Sequence, residues 1–160
     1  MFVMKRIFTL RIIAVGLLLS TFSVVADDYC DWKQNTAGGK QAINHALCGL
    51  AGDATRGRVV AIDRTQGNCL SCHGLPAPEE DFHGQLGPPL YGVGLRYPEG
   101  ELRMRLVDAA VINSSTIMPG FYRHPEDNYR QAIQYADKTM LSAQQVEDLV
   151  AYLLTLKTYP

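Results

Sequence analysis

Apolar and polar residues alternate along this chain with a helical period or with none. The clearest stretch is the last. Val146, Leu149, Val150 and Leu153 recur at three- and four-residue spacing, so one face of a helix is buried. Ser142 stands before it and Gln145 follows three residues on, which is the pattern of a capping box. Tyr152 lies close to the apolar face. An earlier helix is expected from Ala54 to Asp63, with Asp53 as N-cap and Val59, Val60 and Ile62 as its apolar positions. Gly57 inside it is unfavourable by roughly 1 kcal/mol relative to Ala, so another backbone or ring is expected against it. Pro98 suits the start of a third helix, and Glu99 and Glu101 suit its positive end. Leu102, Leu106, Ala109 and Ala110 share one face, which turns Met104 outward. A short helix is expected from about Glu126 to Ala136.

Two segments resist any period. Residues 67–95 hold Pro76, Pro78, Pro88 and Pro89 with Gly74, Gly84, Gly87, Gly92 and Gly94, too much punctuation for regular structure. Residues 113–124 form a second loop around Met118-Pro119-Gly120-Phe121. No strand pattern and no repeat is evident. The expected class is all-α, with about three to five helices and long loops that a large buried cofactor would organise.

The first 26 residues read as an export signal. Lys5, Arg6 and Arg11 precede an apolar run from Ile12 to Val25, and Val24 and Ala26 are small residues before a cut at Asp27. The run is shorter than the roughly 20 apolar residues that a membrane span needs. The signal takes three of the 15 basic residues and none of the 16 acidic ones, so residues 27–160 carry 12 against 16. That balance, with no basic run or face, speaks against a nucleic-acid partner. Residues 27–52 read as a polar, glycine-containing extension that packs on the domain formed by 53–160.

Export places the four cysteines in an oxidising compartment. Cys69-Leu70-Ser71-Cys72-His73 has the spacing by which two thiols reach the two vinyl groups of one porphyrin. The adjacent His73 then lies under the iron. A zinc site would need further paired ligands, and His45, His83 and His124 supply no second motif. A redox dithiol would expect a βαβ context. Cys30 and Cys48 remain and are expected to pair, stapling the extension. The Nδ1–H of a ligating histidine wants an acceptor, and the Pro88 carbonyl is the candidate.

For the opposite iron position the candidates are Met118, Met140 and His124. Met118 is favoured because it lies in a loop and Pro119 biases its backbone to extended geometry. His/Met ligation raises the iron potential and leaves no open position, which suits electron transfer.

These residues, in this order, resemble the class I cytochrome c fold. In that family a glycine of the first helix meets an aromatic ring of the last, a role that would fall to Gly57 and Tyr152. Gly67 to His73, Phe82-His83-Gly84, Gly87-Pro88-Pro89-Leu90-Tyr91-Gly92-Val93-Gly94, Thr116 to Pro119 and Gln145 to Leu153 are similar to the SoxX family. The likeness spans roughly residues 52–157. It implies one covalently bound haem c in a periplasmic heterodimer with a SoxA-like cytochrome. Such a complex resembles an L-cysteine S-thiosulfotransferase, with a SoxYZ-like carrier as acceptor and a downstream c-type cytochrome as electron acceptor. The chemical step is implied on the partner, and the present chain is implied as relay. The Cys30/Cys48 extension has no clear counterpart in the resemblance. Two other functions compete: a free electron shuttle, with a charged ring at its haem edge, and a gas sensor, with a labile sixth ligand.

Overall fold

The computed structural model describes residues 29–36, 39–127, 133 and 138–159. The expected export signal lies outside them, as does most of the helix expected at 126–136; a single 3-10 turn, Pro125–Asp127, stands at its start. Four α-helices occur among the described residues: α1 (Ala54–Ile62), α2 (Val93–Arg96), α3 (Glu99–Ile112) and α4 (Ala143–Thr155). The only strand-like pairing among them is an isolated bridge between Asn35 and Ala42. The fold is all-α.

Caps set the helix ends. The Asp53 side chain accepts the Arg56 N–H at 2.8 Å and starts α1. At α4, Ser142 Oγ accepts the Gln145 N–H at 3.1 Å and Gln145 Oε1 accepts the Ser142 N–H at 2.8 Å, closing both halves of the box. The apolar face of α4 is buried throughout, with Val146, Leu149 and Val150 essentially inaccessible.

Helix α1 buries Gly57, Val60 and Ala61, while Val59 stays 52% exposed. The reason is the crossing with α4. A Cβ placed on Gly57 would lie 1.9 Å from the Asp148 carbonyl oxygen and 2.9 Å from Tyr152 Cβ. The glycine therefore meets the α4 backbone and the root of Tyr152, and the face centred on it, not on Val59, turns inward. Burial alone would raise the Asp148 carboxyl, but Arg56, the Asp53 N–H and Gln144 hold it below the usual carboxylate range.

Met104 departs from expectation. It is fully buried, as are Leu102 and Arg103, and Glu101 beside them is buried too. Consecutive buried residues mean that more than one face of α3 is covered. The N-terminal extension supplies the second cover: Ile43 N–H donates to the Gly100 carbonyl at 3.0 Å, and Arg103 Nη1 donates to the Ile43 carbonyl at 2.8 Å. Ile43 and Leu47 enter the same core cluster as Met104. The extension thus packs on the domain and lends Ile43 and Leu47 to its core.

Cys30 and Cys48, 18 residues apart, are joined by a disulfide that closes this extension. Replacing both by serine is expected to cost about 3 kcal/mol through loop entropy returned to the unfolded chain. A denaturant titration measures it. An unchanged midpoint would mean that Ile43 and Leu47 hold the extension without the staple.

Candidate haem-binding site

Asn68 adopts left-handed backbone geometry (φ 46°) and turns the chain into a 3-10 turn, Cys69–Ser71. The Cys69 carbonyl accepts two N–H groups, from Cys72 at 3.2 Å and from His73 at 2.9 Å. One tight turn therefore brings both thiols and the imidazole together. The loop that follows folds back in three rungs. Gly84 N–H donates to Leu70, Gly87 N–H to Cys72 and Leu90 N–H to Gly74, at 2.7–2.8 Å. The Tyr91 hydroxyl adds a fourth bond, to the Leu75 carbonyl at 3.0 Å. This is how a segment with no periodic core pattern keeps a fixed shape.

His73 Nδ1 lies 2.7 Å from the Pro88 carbonyl oxygen. The acceptor fixes the tautomer: Nδ1 carries the proton and Nε2 is left with a free lone pair. Arg96 Nη2 donates to the neighbouring Pro89 carbonyl at 2.8 Å and steadies this turn. Sequence reasoning missed the part played by Gly87. A Cβ there would lie 2.2 Å from His73 Cε1, so only glycine leaves room for the ring. The Gly-Pro-Pro run carried that signal, the glycine directly before the two prolines.

Cys69 and Cys72 are both half-buried and not paired with each other. Burial pushes the Cys69 thiol up to about 12. A reactive redox thiol needs the opposite shift. Among the described residues no group of three or more His, Cys, Asp or Glu could hold a metal ion. His83 is occupied structurally: its Nδ1 accepts the Leu75 N–H at 3.3 Å, and its Nε2 sits 3.1–3.2 Å from the Glu80 and Ala77 carbonyls.

Met118 is half-buried in the loop after α3 and packs on the core. Its N–H donates to the Thr116 hydroxyl at 3.1 Å. Of the alternatives, His124 stands edge-on to the Tyr29 ring at 4.8 Å, and Met140 fills space beside the core. The two candidate ligands thus come from separate loops, His73 before α2 and Met118 after α3.

The chemistry of this set fits a haem. Two unpaired thiols flank one turn, beside an imidazole with its outer nitrogen satisfied and its inner one free. Tyr152 adds an independent sign. Its hydroxyl is buried without a hydrogen-bond partner among the described residues, within electrostatic reach of Cys69. A buried hydroxyl left alone costs about 1–3 kcal/mol, which a polar group outside the described side chains would offset.

The family profile for cytochrome c matches residues 54–157. The chain belongs to the cytochrome c family. The crystal structure of SoxXA from P. pantotrophus is similar at 35% identity, over 72% of this chain and 90% of that one, with a TM-score of 0.63. This cytochrome is accordingly a class I member of the SoxX type. No curated protein sequence matches it. The match begins at α1, so the stapled extension lies outside the family region although it shares the cytochrome's core.

Two exposed apolar side chains flank the Cys69–Ser71 turn of the cytochrome. Phe82 is 89% exposed and holds a left-handed backbone (φ 60°), which is unfavourable for an aromatic residue. Leu86, next to the Gly87–Cys72 rung, is 73% exposed. Among the described residues no helix is long and apolar enough to cross a membrane.

Proposed function

We propose that this cytochrome is the mono-haem electron-transfer subunit of a periplasmic SoxAX-type L-cysteine S-thiosulfotransferase. The observation that carries the reading is the likeness to the SoxXA structure, which runs through nine-tenths of the matched chain at 35% identity. Residues 1–26 direct export and are removed, and the chain works in the periplasm without membrane insertion. Cys69 and Cys72 would hold one haem c through thioethers, and His73 and Met118 would hold its iron. A haem so bound supplies a one-electron store that alternates between ferric and ferrous states.

The residues then have separate tasks. Pro88 holds the His73 proton on Nδ1 and so keeps the imidazole in one orientation. Met118, as the second iron ligand, would leave no position open to small ligands and would favour the reduced state. No step of bond making falls to this chain. Electrons released when thiosulfate joins a carrier-protein cysteine arrive from a SoxA-like partner and leave to a downstream c-type cytochrome; the carrier is a SoxYZ-like protein. The exposed Phe82 and Leu86 beside the attachment turn support a docked subunit over a free shuttle, which would need charge there instead. With Met118 as a ligand the iron would have no open position, which a gas sensor needs.

A pull-down from periplasm tests the reading. The cytochrome is expected to come down with a second haem protein, and its haem is expected to be reduced by thiosulfate plus carrier. Recovery of the protein alone, unreduced under those conditions, would overturn the assignment.

A further inference from the structure

The geometry points to Asp108 and Arg123 as a clasp of positioning residues that pins the Met118 loop to α3 and thereby keeps the sixth iron position closed. This rests on Met118 as the ligand, as proposed above.

Helix α3 is interrupted at Asp108, whose backbone is extended (φ −154°, ψ 93°). An interruption there diverts the N–H groups that would have bonded the preceding carbonyls. Ala110 N–H turns instead to Asp108 Oδ1 at 3.0 Å. The carbonyls of Leu106 and Val107 take partners from the chain that returns after Met118. Phe121 N–H donates to Leu106 at 3.0 Å and Tyr122 N–H to Val107 at 3.3 Å. Arg123 Nη2 then donates to Asp108 Oδ1 at 2.6 Å. Three consecutive residues, 121–123, thus meet three consecutive residues, 106–108, in register.

The clasp reaches almost to the ligand. The Arg123 stem lies across Gly120, where a Cβ would stand 2.8 Å from Arg123 Cγ and 2.9 Å from its Cδ. Gly120 is two residues from Met118. Arg123 Nε is buried without an acceptor among the described residues, so Asp108 is the carboxylate that holds this guanidinium. The same carboxylate caps the break in α3. One side chain therefore fixes both ends of the loop that carries Met118. Side-chain exposure of 32% for Arg123 and 16% for Asp108 leaves the pair only partly screened by salt. A thioether is a weak, neutral ligand, and its hold on iron depends on how little the loop must be reorganised to place it. The clasp supplies that preorganisation.

The test uses the holoprotein. Asp108→Asn keeps an oxygen for the Ala110 N–H but removes the charge; Arg123→Met removes the other partner. Attached haem and far-UV circular dichroism verify folding of each. Imidazole is titrated into the ferric protein while the methionine-to-iron charge-transfer band is followed, and amide exchange is read at Phe121 and Tyr122. Each variant is expected to bind imidazole about tenfold tighter, the factor that about 1.4 kcal/mol represents. Exchange at both amides should be faster, and Arg123→Lys should recover part of the loss. The double variant should be no worse than either single one, because the same contact is removed. Wild-type imidazole affinity in both single variants, or effects that simply add, would overturn the clasp. Should Asp108→Asn not fold, Arg123→Met and Arg123→Lys decide alone. Met118→Ala, run beside them, separates the two ideas. If it keeps the charge-transfer band, Met118 is not the ligand and the clasp loses its object. If it loses the band while the clasp variants behave as wild type, only the clasp is wrong.

Discussion

Gly57→Ala is expected to destabilise the protein by at least about 4 kcal/mol, at the far end of what single substitutions do. The new Cβ would lie 1.9 Å from the Asp148 carbonyl oxygen and 2.4 Å from its carbon. Both are backbone atoms of α4, so no rotamer change relieves the overlap; α1 and α4 must move apart. That motion also strains the bonds gathered on Asp148: Arg56 Nε and Nη2 and the Asp53 N–H at 2.7 Å, and Gln144 Nε2 at 2.9 Å. Helix propensity acts in the opposite direction, since alanine favours a helix by about 1 kcal/mol over glycine. Steric overlap outweighs it several-fold. Guanidinium titration of the holoprotein decides the sign. A variant as stable as the parent would mean that the crossing has slack the structure does not contain.

Glu147→Ala is expected to cost about 3–5 kcal/mol, because it strands a buried guanidinium. Arg103 is 1% exposed and Glu147 3% at their side chains. The pair is two-pronged, Nε to Oε1 and Nη2 to Oε2, each at 2.8 Å. Glu147 Oε1 also accepts the Leu47 N–H at 2.9 Å, and Arg103 Nη1 donates to the Ile43 carbonyl at 2.8 Å. Glu99 pairs with the same guanidinium from the surface side. One charge pair thus joins α3, α4 and the stapled extension. Replacing both charges, as Arg103→Met with Glu147→Leu, removes the desolvation cost but leaves the Leu47 N–H and the Ile43 carbonyl without partners. The double variant should recover part of the loss and not all of it. A single-variant cost below about 1 kcal/mol, or full recovery in the double, would contradict this account.

The two cases differ in how much the chain itself announced. Gly57 is conspicuous in a helix because its intrinsic cost demands a compensating contact, and the last helix was the natural partner. What the sequence did not disclose is that the contact is to the Asp148 backbone. Arg103 and Glu147 gave no such signal. Both are charged residues on helical faces, where solvent is the default environment. Their burial follows from the extension lying along α3, a long-range placement that no periodicity encodes. Met104 is buried for the same reason: an amphipathic pattern presumes one covered face, and α3 has more.

The candidate site divides along the same line. Cysteine spacing, the histidine that follows and the Gly-Pro-Pro loop are local features, and short-range geometry ties each to its neighbours. Sequence by itself determined the caps of α1 and α4, the all-α class and the family. Only the tertiary structure decided that α3 breaks at Asp108, that residues 121–123 return to it in register, and that the extension enters the core. These depend on which carbonyls are left free and which segments lie beside them, and partners 15 or more residues apart leave no mark on the hydrophobic pattern of either segment.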